Sequence, residues 1–353
     1  MGKALIYLSF LLLLFSACEE YYTPPIDPVK GQIVVDAMIT NDPSINYVHL
    51  TYSRNFSENV PVAEVTGARV ELVEINGKVI QGLENVWGYF IFKIVPVVGR
   101  NYKLRIFLKK DVYESEEVTM PPLPTITNFH TEHVEKKISL ADGFGNPVSS
   151  VMQGTEMYAD APVTNSLSYY RFKVRSILQW IYAKINFPEK EPPPPVFYGW
   201  QAFYESNLFN LAGPNKFSQI EEIKKQPLLM LAYKYASYIN TDTLAPNGWI
   251  LIIDQYGTSK GSYEYHEKLN SQFAAEGNLF DPIQTQVYGN IKCLTDPEKI
   301  VFGYFELNSH QQYRYYYDMG GQGAVMTLRQ LFNYPDIPDR GRTEELPPEW
   351  WEK

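Results

Sequence analysis

From Gln32 onward the chain alternates apolar and polar residues in short runs, the two-residue period of strands that bury one face. Gln32 to Ile39 is apolar and β-branched, and Ile45 to Tyr52 sets Val48 and Leu50 against His49 and Thr51. Ala68 to Ile75 places Val70 and Leu72 against Glu71 and Glu74, and Asn76-Gly77 is a type I′ hairpin signal leading into Lys78 to Ile80. With Trp87 to Ile94, Tyr102 to Leu108 and Val112 to Thr119 the strands number about seven, spaced as in an immunoglobulin-like sandwich. Met120-Pro121-Pro122 with Pro124 closes this stretch, since proline cannot join a sheet interior.

Beyond Thr125 the strand pattern resumes with longer runs. Val151 to Pro162 and Tyr169 to Ile181 are long enough to pair as a hairpin around Asn165-Ser166. Glu189 to Pro195 is an acidic, proline-rich excursion that reads as a surface loop. Leu228 to Tyr235, Trp249 to Tyr256, Thr285 to Cys293, Ile300 to Leu307 and Gln312 to Tyr317 read as further strands. One helix is predicted from Ser262 to Glu276, where Tyr265, Leu269 and Phe273 recur every fourth residue and Gly277-Asn278 supplies a stop. A shorter one is predicted over Ser218 to Lys225. The tail from Asp336 is polar but ends in Trp350 and Trp351, which predicts that it docks.

Ahead of the strands, Met1-Gly2-Lys3 is a short positive start and Ala4 to Phe15 an uncharged apolar run. About a dozen residues is the length of a signal h-region and too short for a membrane span. The run ends Phe15-Ser16-Ala17-Cys18, small residues before a cysteine, which is the pattern of a lipobox. Small side chains let a signal peptidase admit the backbone, and the thiol after the cut is the sulfur that receives the lipid. Residues 1–17 are therefore expected to be a lipoprotein signal peptide, with Cys18 acylated by diacylglycerol and palmitate. An ordinary signal peptide with an incidental cysteine and a short membrane anchor are the alternatives. Residues 18–30, with Glu19, Glu20, Pro24-Pro25 and Pro28, read as a tether. The two glutamates resemble the surface-export signal of Bacteroidota lipoproteins, and also suit a plain solvated linker.

Removing the signal leaves about 336 residues, too many for one compact β-domain and comfortable for two. A net charge of -9 offers no basic stripe for phosphates, so nucleic acid is not an expected partner. With only 2 cysteines in the chain and Cys18 acylated, Cys293 has no partner, and no disulfide framework is expected. The 27 tyrosines are unusual, and strand-forming or half-buried use explains most of them.

Gly248-Trp249-Ile250, Tyr265-His266, and Gly277-Asn278-Leu279-Phe280-Asp281-Pro282 together resemble a family signature. Gly289-Asn290-Ile291-Lys292-Cys293 and Val301-Phe302-Gly303-Tyr304-Phe305 belong to the same pattern. The chain is similar over essentially its whole mature length to the Bacteroidota outer-membrane lipoproteins grouped as domain of unknown function 4249. That resemblance implies an outer-membrane lipoprotein, often encoded beside a TonB-dependent receptor, with no established activity. Family members carry further cysteines near the C-terminus; here Gly341-Arg342-Thr343 leads to Trp350 without one, so Cys293 is expected to be a small buried hydrophobe.

Three motifs suggest chemistry. Gly257-Thr258-Ser259-Lys260-Gly261 matches a nucleophile elbow between strand and helix, with Asp296 and His310 following in serine, acid, histidine order. Against a hydrolase stands the lack of alternating strands and helices, and a serine capping the helix is the simpler expectation. His130 and His133 would share a helix face but split across a strand, and no third ligand lies near, so no metal is expected. Asp142 to Asn146 lacks the carboxylates of a calcium loop and reads as a turn. The aromatic clusters are the one binding signal, with Tyr198, Trp200 and Tyr204 as a possible ligand or partner surface and Tyr313, Tyr315, Tyr316 and Tyr317 crowding a late strand. Alternate members facing the core would explain both clusters equally well.

The fold class expected is mainly β: an immunoglobulin-like β-sandwich over residues 31–122, then a β-rich second domain over 123–353 with one packed helix. No cofactor is expected and no catalytic residue is identified. The functional expectation is a lipid-anchored accessory protein at the outer membrane and cell surface that acts by binding, as partner of a TonB-dependent transporter. A free-standing glycan- or peptide-binding module is the alternative, and a serine hydrolase built on Ser259 a more distant one.

Overall fold

The structure, a computed structural model, describes residues 31–54, 61–141, 147–183, 196–204, 208–214, 222–232, 244–273, 286–318, 327–330 and 338–344. Cys18 with its signal and tether, the turn at 142–146, the proline excursion and the terminal tryptophans lie outside the described residues. The chain is mainly β, as its alternation requires. Before residue 122 run β1 (Ile33–Thr40), β2 (Tyr47–Tyr52), β3 (Arg69–Glu74), β4 (Val79–Gln81), β5 (Leu83–Val86), β6 (Tyr89–Ile91), β7 (Asn101–Leu108), β8 (Asp111–Ser115) and β9 (Val118–Thr119). Then follow β10 (Asn128–Ala141), β11 (Pro147–Pro162), β12 (Tyr169–Ala183), β13 (Val196–Tyr204), β14 (Asn210–Ala212), β15 (Glu222–Ala232) and β16 (Leu244–Thr258). Helix α1 (Lys260–Phe273), β17 (Ile291–Cys293), β18 (Phe302–Asp318), β19 (Thr327–Gln330) and β20 (Arg340–Glu344) complete the order.

One eleven-stranded sheet runs through the molecule in the order β20-β13-β12-β16-β18-β1-β2-β6-β5, with β14 beside β12 and β19 beside β18. Its central seam is parallel: β1 pairs with β18 from Val34 opposite Phe302 to Thr40 opposite Asn308. A six-stranded sheet, β17-β8-β7-β3-β4 with β9 beside β7, packs on one end of it, and the three-stranded sheet β10-β11-β15 on the other. Phe305 and Leu307 of β18 join the first core, with Val35, Leu50, Leu72 and Ile106. Tyr315 and Tyr317 of the same strand join the second, with Met157, Phe172 and Leu251. These four positions share a parity, so both small sheets lie on the same face of the long one. Between them the connector crosses, held where Ser309 Oγ donates to Pro122 O at 2.6 Å and Gln255 Nε2 donates to Thr125 O at 3.2 Å.

Residue 122 is where the chain leaves one small sheet for the next, and hydrogen bonding continues across it. The sandwich of 31–122 takes β18 beside β1, and β17 beside β8 through Ile291 opposite Ser115. Gly303 allows the first contact: its φ is +89°, and a Cβ there would lie 1.9 Å from Val35 O. Close backbone approach is what glycine supplies at such a point.

Several local expectations are corrected. The β3–β4 hairpin forms, but only Asn76 is left-handed, at φ 58°, and Gly77 N donates to Glu74 O, so the turn is not type I′. β11 and β12 do not pair as a hairpin. β11 pairs with β10 and β15, whereas β12 enters the long sheet beside β13 and β16. The apolar faces of Met157, Ala159 and Ala161 on β11 and Tyr170, Phe172 and Val174 on β12 meet across the core, which stacked strands achieve and hydrogen-bonded neighbours do not. Residues 222–225, expected in a helix, belong to β15, and the two strands expected over 300–317 are one. Of the tail, Arg340 to Glu344 pair with β13.

Candidate functional site

The small sheets cover one face of the long sheet. On the other face, alternate positions of five adjacent strands bring up Arg171 and Lys173 of β12, Asp254 and Tyr256 of β16, Glu306 of β18, Asp36 and Met38 of β1, and Tyr47 of β2. Helix α1 rests here. Its buried residues are Ser262 and His266, not the expected stripe of Tyr265, Leu269 and Phe273, and Phe273 is 71% exposed. A polar contact docks the helix because the sheet beneath it presents a buried carboxylate.

That carboxylate is Glu306. It accepts from Ser262 Oγ at 3.0 Å and from Asn308 Nδ2 at 2.8 Å through Oε2, and from Arg171 Nη1 at 3.2 Å through Oε1. Burial alone would raise its pKa, but the Arg171 charge, His266 and the two neutral donors outweigh it and hold the group ionised, below its usual range. Arg171 Nη1 also reaches His266 Nε2 at 3.3 Å, and His266 Nδ1 donates to Ser262 O at 2.8 Å. Burial lowers the imidazole pKa against the pull of Glu306, so Nε2 is free to accept from the guanidinium. Phe209 closes over the ring edge-on, with centroids 4.3 Å apart.

Beside this cluster lies a cavity of about 380 Å³. Met38, Arg171 and Tyr256 form its floor, and Tyr47, Lys173, Tyr204, Leu208 and Phe209 are among its walls. The guanidinium sits 5.1 Å from the Tyr256 ring centroid. Burial pushes the Tyr256 hydroxyl well above its ordinary value, so it stays protonated. Aromatic walls over a cationic floor can hold a flat or apolar molecule and orient an anionic group on it.

Of the three aromatics expected on one surface, Tyr204 reaches this cavity, its exposed ring tied through the hydroxyl to Asp339. Tyr198 is half-buried against the sheet's own apolar cluster. Trp200 is a correction: it is 7% exposed, its indole Nε1–H donates to Pro338 O at 3.0 Å, and the indole lies across Gly341 of the neighbouring strand β20. The packing is close enough that a Cβ at Gly341 would fall 2.0 Å from the indole. Tyr315, Tyr316 and Tyr317 are all buried, because both faces of β18 are covered there.

Ser259 caps α1, accepting from Ser262 N at 3.2 Å, and stands at the edge of an open cleft of about 800 Å³. His310 does not meet it. The histidine stacks on Tyr256 and bonds Asp254 Oδ1 through Nε2 at 2.8 Å, opposite Tyr256 in the ladder. His130 and His133 lie on β10, on opposite faces. No group of three His, Cys, Asp or Glu side chains placed to hold a metal occurs among the described residues. Cys293 is buried in the first core.

Arg171, Glu306, Met38 and Phe209 were not legible as a site. They are spread along the chain from Met38 to Glu306, and the one sequence signal was a charged residue at an alternate position of an otherwise apolar strand.

The fold and site define a two-layer β protein whose single long sheet keeps a polar, partly roofed face. The chain belongs to the family described as domain of unknown function DUF4249, which it matches over residues 19–314. Comparison with curated proteins and with solved structures gave no match.

Proposed function

We propose that the chain is a lipid-anchored accessory lipoprotein of a bacterial outer membrane, exposed at the cell surface, which works by binding and not by catalysis, as partner of a TonB-dependent transporter. The anchor rests on the lipobox ending in Cys18, and the transporter on the family resemblance. The observation that carries the binding half is the end of the long sheet at β5, the outermost strand there among the described residues. Edge strand β5 exposes all four of its residues, Leu83 and Val86 included, and Trp87 next to it is 77% exposed. Soluble proteins shield such edges with charge, proline or a covering loop; Glu84 is the one charge on this strand, and exposed Leu83 and Val86 beside a protruding tryptophan suit a protein interface.

The test is mild-detergent purification of the tagged chain from native outer membranes, with Cys18→Ala and a Leu83→Lys, Trp87→Lys variant as comparisons. Stoichiometric recovery of a TonB-dependent barrel, diminished in both variants, is the expected result. Recovery of the lipoprotein alone, even after crosslinking, would remove the transporter from the proposal.

A free-standing glycan- or peptide-binding module is the second reading, and the aromatic cavity over Arg171 favours it. Under either reading Ser259 is a structural cap, so a fluorophosphonate probe should leave the chain unlabelled. Labelling abolished by Ser259→Ala would make the protein a serine hydrolase instead.

A further inference from the structure

We propose that the cavity over Arg171 takes a small organic carboxylate with a flat or apolar body, an inference that rests on the second reading above and names the ligand class for it. The guanidinium is only half satisfied. Nη1 is shared between Glu306 Oε1 and His266 Nε2, whereas Nη2 is bonded to Met38 Sδ at 3.3 Å. A thioether is a weak acceptor, so a carboxylate oxygen in the cavity would replace a poor partner with a strong, charge-assisted one. Lys173 stands exposed among the lining residues and adds a second positive charge to the cavity, with Asp254 opposite it in the ladder. Glu306 lies on the Nη1 side, paired with Arg171 itself and hydrogen-bonded by Ser262 and Asn308.

The remaining lining excludes a sugar as the better fit. Tyr47, Tyr204, Tyr256, Phe209, Leu208 and Met38 offer ring faces and apolar atoms. The Tyr47 hydroxyl already donates to Asp36 at 3.0 Å, and the Tyr204 hydroxyl donates to Asp339. A polyhydroxylated ligand would bury hydroxyls with few free partners, which is unfavourable, whereas a phenyl or alkyl body needs none. A volume of about 380 Å³ is at the small end of ligand cavities, suited to a molecule of one or two rings.

The experiment is calorimetric titration of the full chain in lipid nanodiscs, with empty nanodiscs subtracted, against 3-phenylpropionate, 3-phenylpropanol and glucuronate. One-to-one binding of 3-phenylpropionate is expected, at least tenfold weaker for the alcohol. Lys173→Gln and Phe209→Ala should each weaken the acid about tenfold or more; Lys173 is exposed, so its variant keeps the wild-type melting temperature. Equal binding of acid and alcohol would overturn the assignment of the carboxylate to the two cations. Saturable binding of glucuronate but not 3-phenylpropionate would overturn the ligand class and leave the binding-module reading standing. No saturable binding of any probe by the folded chain would overturn both. Recovery of a transporter in the purification above is read separately from all of these.

Discussion

At the scale of single residues, Glu306 decides most. A carboxylate this deep is tolerated only while its partners stay in place, because an unpaired buried charge is far more unfavourable than a missing pair. Glu306→Ala strands the Arg171 guanidinium and should lower unfolding free energy by about 3–5 kcal/mol. The double variant Arg171→Met, Glu306→Leu should recover more than half of that loss, as read from urea midpoints. Both titrations in the cluster act in one direction with pH. The pKa of Glu306 is depressed in the folded state, so its contribution is present above the unfolded value of 4.5 and is lost as pH falls through the folded value. That of His266 is also lowered from 6.5, so below that pH the unfolded chain binds the extra proton and stability falls again. Stability should therefore decline from pH 7 to pH 5, and His266→Asn should flatten that decline. An unchanged slope in the variant would mean that another group governs this window. None of this pairing was legible in advance, since an alternate-position glutamate in a strand reads as solvent-facing.

At the scale of elements, the helix and the tail teach different lessons. The span of α1 was close to legible, because Ser259 and the four-residue spacing mark a start and a length. Its buried face was not: burying Ser262 and His266 follows from the Glu306 carboxylate beneath, which no helical periodicity contains. The tail was expected to dock, and within it β20 adds to β13 and lies beneath the Trp200 indole, while Trp350 and Trp351 lie outside the described residues. Gly341→Ala places a methyl where the indole already is, and overpacking of this kind is unfavourable by about 1–3 kcal/mol. We expect faster amide exchange across residues 340–344 and a shift in tryptophan emission, with the global melting temperature little changed. Protection equal to wild type in the variant would show that the indole moves aside without releasing the strand.

At the scale of the whole molecule, the parallel pairing of β1 with β18 makes the two halves one sheet. The N-terminal core contains Ile291, Cys293, Val301, Phe305 and Leu307 from the far half of the chain. A fragment of residues 31–122 would expose the surfaces that these side chains cover and lose the neighbour of β1. It should lack dispersed amide resonances and a cooperative melt, whereas the full chain should show both. A fragment that melts cooperatively by itself would show that the sandwich stands without β17 and β18. The same continuity puts the exposed β5 edge and the Arg171 cavity on one sheet, so the proposed partner docking and the proposed ligand binding would share a scaffold.

The residues by themselves determined the class of the protein: a two-residue period repeated down the chain, with one helical stretch and glycines where backbones meet, permits little besides stacked sheets. They determined too the lipobox as an expectation and the family signature as a pattern. Only the tertiary structure decided which strands are neighbours, that β11 and β12 stack instead of pairing, that Trp200 is covered, and that Arg171 and Glu306 meet. The reason is physical. Alternation reports which side of a strand is buried, but hydrogen-bonding edges look alike in any sequence, and partners distant along the chain are chosen by how whole faces fit.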